Sequence, residues 1–113
     1  MDIPSLYAGK MHALLFRKWR TRVKGRDWYD FEWYVRNGHV MNFAHLVNRI
    51  DQSHPWKSPS SEADFRKMLL ERIAQTDFAS AKADVQPFIR NPTELEIWSC
   101  DDFIQVAERM KIG

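Results

Sequence analysis

The chain has 113 residues and a net charge of +2, with 44% hydrophobic and 28% charged residues. This composition excludes an intrinsically disordered chain, because enough apolar side chains are present to bury a core, and the length suits one domain spanning residues 1–113. So small a net charge does not by itself predict a nucleic-acid-binding protein, although seven basic and no acidic residues lie between Lys10 and Arg26.

Cysteine and histidine usage predicts neither a disulfide nor a metal site. Cys100 is the single cysteine, which excludes an internal disulfide and fits a reducing cytoplasm. The four histidines (His12, His39, His45 and His54) do not have zinc-ligand spacing, so we expect no metal ligand in this chain. The sequence has no run of about 18 apolar residues, so we expect no membrane span.

The first predicted helix begins at Ser5, a good N-cap residue, and runs to about Arg20. Residues 1–4 read as a short lead that belonged to a preceding strand. Lys10 and Arg17 are seven residues apart, so they lie nearly above one another at the margin of the apolar face. That face contains Leu6, Tyr7, Met11, Leu14 and Leu15.

The second predicted helix follows Gly25, which we interpret as a flexible backbone break, and begins near Asp27. It ends at Asn37 and Gly38, a usual C-cap pair. The apolar face of this helix contains Trp28, Phe31 and Val35. The helix therefore buries one flank and carries its acids beside it.

Two carboxylates and a phenol share a neighbouring face of the second helix. Asp27, Asp30 and Tyr34 follow one another at spacings that keep them on one side. Glu32 and Arg36 are i,i+4 partners on the opposite side, where we expect a solvated ion pair. Asp27 and Asp30 therefore lie at the edge of the buried surface, where a cleft residue would lie.

Helices also account for the rest of the chain. A third helix is capped by Asn42 or its neighbour and stops before His54, a fourth begins at Ser61, and the last is capped by Ser99. Between them we predict a short helix over 77–85 and a single turn over 92–96. No segment alternates with a strand period for more than four residues, so the sequence predicts an all-α fold of about five main helices without significant sheet.

Two segments of this sequence carry a recognisable pattern: Leu6–Arg17 (Leu-Tyr-Ala-Gly-Lys-Met-His-Ala-Leu-Leu-Phe-Arg) and Lys24–Asp30 (Lys-Gly-Arg-Asp-Trp-Tyr-Asp). Together they resemble the AbiEii/AbiGii nucleotidyltransferase family of toxins from type IV toxin–antitoxin and abortive-infection systems. Weaker resemblance extends through 84–88 and 95–98. The resemblance implies that the chain corresponds to the helical domain of the family's proteins. This domain follows a nucleotidyltransferase domain and carries a Lys motif and an Arg-Asp-x-x-Asp motif.

The resemblance implies roles for five residues. Lys10 and Asp27 would be the catalytic pair, with Lys10 contacting phosphate and Asp27 accepting a proton from an attacking hydroxyl. Arg17, Arg26 and Asp30 would bind the substrate or its phosphates. Intact family enzymes also use Mg²⁺ and a nucleoside triphosphate, held by a Gly-Ser turn and a pair of acids on a strand. The 113 residues contain no Gly-Ser pair, so we expect this chain to be inactive alone.

Three functions remain open at this stage. The chain can be the substrate-facing part of such an enzyme, completed by a separate nucleotidyltransferase domain or subunit after truncation or splitting, and acting on an RNA acceptor. It can be a small RNA- or DNA-binding module that uses its basic segment. It can also be a homodimeric interaction protein without chemistry, in which Lys10 and Arg17 are solvated and Asp27 and Asp30 only stabilise a helix start.

Two spatial expectations follow from the predicted faces. Lys10 and Asp27 should face one shallow cleft, with their side-chain ends within about 12 Å, because both border apolar faces that must meet in the core. Residues 1–4, Tyr7 and the side of the second helix with Tyr29 and Trp33 should be exposed. We expect such an apolar surface to be covered in a homodimer.

Overall fold

The computed structural model describes residues 2–18 and 23–113. These residues form six α-helices: α1 (Ile3–Phe16), α2 (Gly25–Arg36), α3 (Phe43–Ser53), α4 (Glu62–Ala74), α5 (Phe78–Val85) and α6 (Cys100–Arg109). Three short 3-10 helices span Pro55–Lys57, Gln86–Phe88 and Pro92–Leu95. The all-α prediction is confirmed, and no helix in the described ranges has the length and hydrophobicity that a membrane span needs.

The start of α1 differs from the prediction. Asp2 caps the helix, and its Oδ1 accepts a hydrogen bond from the Ser5 amide at 2.9 Å. Ile3 and Pro4 therefore belong to α1 and not to a lead from a strand, because proline is well tolerated in a first helical turn where its missing N–H is not needed. Helix α1 ends at Phe16; Met1 and the helix end predicted at Arg20 lie outside the described residues.

The N-caps of α3, α4 and α6 lie where the sequence predicts them. The side chains of Asn42, Ser61 and Ser99 accept hydrogen bonds from the amides of His45, Asp64 and Asp102, respectively. Each bond satisfies one of the free amides at a helix start, which fixes where the helix begins.

Aromatic side chains hold α2 against the C-terminal half of the chain. The Trp28 ring meets the rings of Phe78 and Phe103 at centroid distances of 4.9 and 5.1 Å. Phe78 and Phe103 stack on each other at 4.7 Å. Trp28 and Phe103 are fully buried, so the interpretation of the α2 aromatics as core is confirmed for this tryptophan.

Tyr7 was expected to be exposed, and this prediction is wrong. Its side chain is fully buried because its ring stacks on Tyr34 of α2, with centroids 4.4 Å apart and planes 9° apart. Trp33 is exposed as expected, while Tyr29 is partly buried. The stack joins the first turns of α1 to the last turns of α2, so these two helices run past each other in opposite directions.

A small parallel sheet also joins distant parts of the chain. Strands β1 (Val40–Met41) and β2 (Lys111–Ile112) pair with Val40 opposite Lys111 and Met41 opposite Ile112. With two residues each, these strands are too short to show a period in the sequence. Nearby, the Asn42 amide donates to the Pro4 carbonyl and anchors the start of α1.

Candidate functional site

Lys10 of α1 bridges the two acids of α2. Its Nζ lies 3.0 Å from Asp27 Oδ1 and 3.0 Å from Asp30 Oδ2. Both acids reach the same cation because three residues advance an α-helix by nearly one turn. The expectation that Lys10 and Asp27 lie within about 12 Å is confirmed, and they are in direct contact.

Two arginines complete this group of charges. Arg17, which follows α1, donates from Nε to Asp27 Oδ2 at 2.8 Å. Arg26 donates from Nε to Asp30 Oδ1 at 2.9 Å, one helical turn along α2. The five residues predicted from the sequence therefore meet in one place. We call them the Lys10 cluster, and its three cations exceed its two anions by one charge.

Exposure of the Lys10 cluster increases from the core outward. The side chain of Asp27 is 4% exposed, against 22% for Lys10 and 24% for Asp30. Arg17 and Arg26 are 44% and 69% exposed. Asp27 therefore lies at the base of the cluster, where a charged group is stable only when it is paired and hydrogen-bonded.

The neighbouring acids keep Lys10 charged. Burial lowers the pKa of Lys10, but its hydrogen bonds to Asp27 and Asp30 outweigh burial, so the pKa lies above its usual value. Burial and the Asp30 charge raise the pKa of the adjacent Tyr34. Both side chains consequently keep their protons at neutral pH: Lys10 as a cation and Tyr34 as a neutral phenol.

Gly25 brings α2 close enough to α5 to set the position of the Lys10 cluster. A Cβ atom at Gly25 would lie 2.0 Å from the carbonyl oxygen of Ala81. The Gly25 amide donates to Asp84 Oδ2 at 2.9 Å, which fixes the first turn of α2. Gly25 is therefore the first residue of α2 and a packing requirement, and the interpretation as a flexible break before the helix is wrong.

Arg72 of α4 supports the cluster and was missed in the sequence. Its Nε donates to the Leu14 carbonyl at 2.9 Å and its Nη2 to the Arg17 carbonyl at 2.7 Å. These bonds satisfy carbonyls at the end of α1, which fixes the backbone from which the Arg17 side chain reaches Asp27. Only the tertiary packing of α4 on α1 reveals this role, because Arg72 lies outside both motifs.

Glu32 and Arg36 form the predicted i,i+4 ion pair, but the Glu32 carboxylate is not solvated as expected. The Glu32 side chain is only 14% exposed, and its Oε1 lies 3.9 Å from Arg36 Nη2. Burial, reinforced by the Asp102 carboxylate, raises the pKa of Glu32. The predicted solvation of Glu32 is wrong because α6 packs on this side of α2, so the face that the helical period assigned to solvent is partly covered.

The Lys10 cluster does not fit Mg²⁺. This ion binds carboxylate oxygens and water in near-octahedral geometry. Asp27 is already paired with Lys10 and Arg17, and Asp30 with Lys10 and Arg26, so four short contacts to cations would oppose a divalent metal. Residues 2–18 and 23–113 also contain no group of three or more His, Cys, Asp or Glu side chains able to hold a metal ion.

Comparison with protein-family models matches residues 1–106 to the nucleotidyl transferase AbiEii toxin of type IV toxin–antitoxin systems. A search of curated proteins and a search of solved structures returned no match. The matched residues include the whole Lys10 cluster and Gly25, which places the cluster within the part of the chain that carries the family likeness. The chain belongs to the AbiEii family of nucleotidyl transferase toxins.

Proposed function

We propose that this chain is the helical, substrate-facing part of an AbiEii-type nucleotidyltransferase and that it does not transfer nucleotides alone. The observation that carries the proposal is Lys10 held between Asp27 and Asp30, because α1 and α2 bring the two sequence motifs into one charged cluster. The family match supports the reaction class, and the geometry supports the choice of residues.

Lys10, in this proposal, contacts a phosphate of the nucleoside triphosphate. Nucleotidyl transfer releases pyrophosphate, and negative charge on the phosphates must be stabilised while the bond breaks. Lys10 supplies a cation whose proton is secured by the two acids. Arg17 and Arg26 are more exposed and extend the positive surface toward the substrate.

Asp27 has two successive roles in this proposal: it first positions two cations and then accepts a proton. In the structure its oxygens accept bonds from Lys10 and Arg17, so it positions both cations. An attacking hydroxyl could give its proton to Asp27 only after one of these partners moves, because the carboxylate is 4% exposed. Arg17 is the more exposed partner and therefore the one that we expect to move.

The metal-binding acids are proposed to come from a nucleotidyltransferase domain or subunit other than these 113 residues, since the Lys10 cluster does not fit Mg²⁺. We propose that four exposed apolar side chains form a surface for such a partner. They are Ile3, Leu6, Trp33 and Val40, which are 41–47% exposed and lie on α1, α2 and β1. Without the partner, we expect this surface to associate with a second copy of the chain.

Reconstitution tests the proposal. The chain is incubated with Mg²⁺, each labelled nucleoside triphosphate and total tRNA, with and without the nucleotidyltransferase domain of another AbiEii family member. We expect incorporation only in the mixture. Incorporation by the chain alone that disappears in Asp27→Asn would disprove the proposal, because it would require a metal site within this chain.

Binding to an RNA acceptor is the second candidate function, and the exposure of Arg17, Lys18 and Arg26 favours it. Contacts to phosphates release counterions, so affinity for RNA should fall steeply as salt concentration rises. Binding measured over a range of salt concentrations checks this. A flat salt dependence would exclude phosphate contacts by this basic surface.

A further inference from the structure

A second group of positive charges surrounds a cavity beside the Lys10 cluster. The cavity has a volume of about 400 Å³ and lies between the end of α1, the 3-10 helix Pro55–Lys57 and α4. Among the described residues, its lining includes Arg17, Lys18, His54, Lys57 and Arg72 but no carboxylate. We call it the basic cavity.

Tertiary packing brings these charges together from separate parts of the chain. Arg17 and Lys18 follow α1, Lys57 is the last residue of the 3-10 helix, and Arg72 lies in the last turn of α4. The bonds from Arg72 to the Leu14 and Arg17 carbonyls hold its guanidinium in place. Asp27 compensates part of this positive charge through its bond to Arg17, and the positive charge that remains around the cavity attracts an anion.

One wall of the basic cavity is a fixed aromatic pair. The rings of Phe16 and His54 stack with centroids 4.7 Å apart and planes 13° apart. His54 Nδ1 lies 2.9 Å from Ser53 Oγ, which in turn lies 2.7 Å from His12 Nε2. Hydrogen bonds and ring stacking therefore both fix this wall, so the basic cavity has a defined shape on this side.

We propose that the basic cavity binds a phosphate-bearing anion, either free pyrophosphate or the phosphate of a phosphate ester. Arginine and lysine on several sides suit a tetrahedral group with more than one negative charge, because guanidinium groups bind its oxygens in pairs and ammonium groups add point charges. An adjoining cavity shares Phe16, Lys57 and Arg72 but includes Glu71. That acid confines the anion to the side with Arg17 and Lys18.

Arg17 connects the basic cavity to the Lys10 cluster. Its guanidinium lines the cavity and also donates to Asp27. An anion in the cavity competes with Asp27 for this guanidinium, so occupancy loosens Arg17 from Asp27 and opens the carboxylate. Anion binding is independent of the proposed transferase function, whereas a regulatory meaning for the opened Asp27 rests on it.

Titration of the whole chain with inorganic pyrophosphate, at constant ionic strength, tests both steps without any transfer reaction. Calorimetry measures binding, and the ¹⁵Nε resonance of Arg17, assigned with Arg17→Lys, reports on its bond to Asp27. We expect saturable binding and a shift of the Arg17 resonance with the same midpoint. Lys57→Gln should weaken binding about tenfold, as for loss of one charge-assisted hydrogen bond, while Lys111→Gln on β2 should not.

The outcomes separately test binding of the anion in the basic cavity and the loosening of Arg17 from Asp27. Absence of saturable binding, or equal weakening by Lys57→Gln and Lys111→Gln, overturns the site. Binding that leaves the Arg17 resonance unmoved overturns the connection to Asp27. Titration with phenyl phosphate distinguishes a phosphate ester from free pyrophosphate as the ligand. If phenyl phosphate binds more tightly than inorganic phosphate, the ligand is a phosphate ester whose organic group packs against the Phe16–His54 wall. If pyrophosphate binds more tightly than phenyl phosphate, the ligand is the free anion. Failure of the reconstituted transferase with intact pyrophosphate binding would reject only the proposed function.

Discussion

Replacing Gly25 with alanine tests whether close packing of α2 on α5 sets the position of the site. The new Cβ would lie 2.0 Å from the Ala81 carbonyl oxygen and 2.9 Å from its carbon. To restore an ordinary contact of 3.4 Å between these two atoms, α2 and α5 must move apart by about 1.4 Å (3.4 minus 2.0). The obstacle is a backbone atom, which cannot rotate away as the end of a side chain can. Overpacking and strain on the Gly25–Asp84 hydrogen bond should together lower the free energy of unfolding by about 2–4 kcal/mol.

Thermal and urea unfolding followed by circular dichroism measure this change. A loss of that size corresponds to a fall in Tm of roughly 8–15 °C for a chain of this length. Gly9→Ala is the matched control, because a Cβ at Gly9 would meet only the Arg49 guanidinium at 3.7 Å. In α1 it should raise stability by about 0.5–1 kcal/mol through helix propensity. Equal effects of the two substitutions would refute the packing argument.

Three other substitutions test individual contacts. Asp27→Asn should lower the free energy of unfolding by about 3 kcal/mol because it breaks a buried ion pair. Asp30→Asn should lower it by less than about 1 kcal/mol because Asp30 is more exposed. A larger loss for Asp30→Asn than for Asp27→Asn in urea unfolding would contradict the conclusion that Asp27 lies at the base of the cluster. Tyr7→Phe should leave stability unchanged or raise it, since the buried hydroxyl finds no hydrogen-bond partner among the described residues; a clear loss in Tm would reveal one. Burial raises the pKa of Glu32 above 4.5, so ionisation of this carboxyl group destabilises the folded state as pH rises. Glu32→Gln should therefore increase Tm at about pH 7 and not at about pH 4. The same change in Tm at both pH values would disprove this.

The contacts that follow from helical periodicity were the ones that the sequence could predict. Asp27 and Asp30 share a face whatever the tertiary fold, and Lys10 borders an apolar face that has to pack in the core. The caps at Asn42, Ser61 and Ser99 are equally local, because each side chain bonds an amide three residues ahead. Such features depend on neighbouring residues only.

Features that depend on packing partners could not be predicted in this way. The burial of Tyr7 follows from its stack on Tyr34, and the partial burial of Glu32 follows from the packing of α6 on α2. Gly25 contacts the backbone of α5, and Arg72 binds carbonyls of α1 from α4. In each case the partner is distant in sequence, and periodicity within one helix carries no information about it.

Kinetics of the reconstituted enzyme test the central claim most directly, namely that Lys10 acts on the phosphates during transfer. We predict that Lys10→Met lowers kcat by about 100-fold or more, as for loss of a charged group that stabilises the transition state. Lys67→Gln, which changes an exposed lysine on α4, should leave kcat as in the unmodified chain. Equal kcat values for Lys10→Met, Lys67→Gln and the unmodified chain would contradict the claim and reduce the Lys10 cluster to a structural ion-pair network.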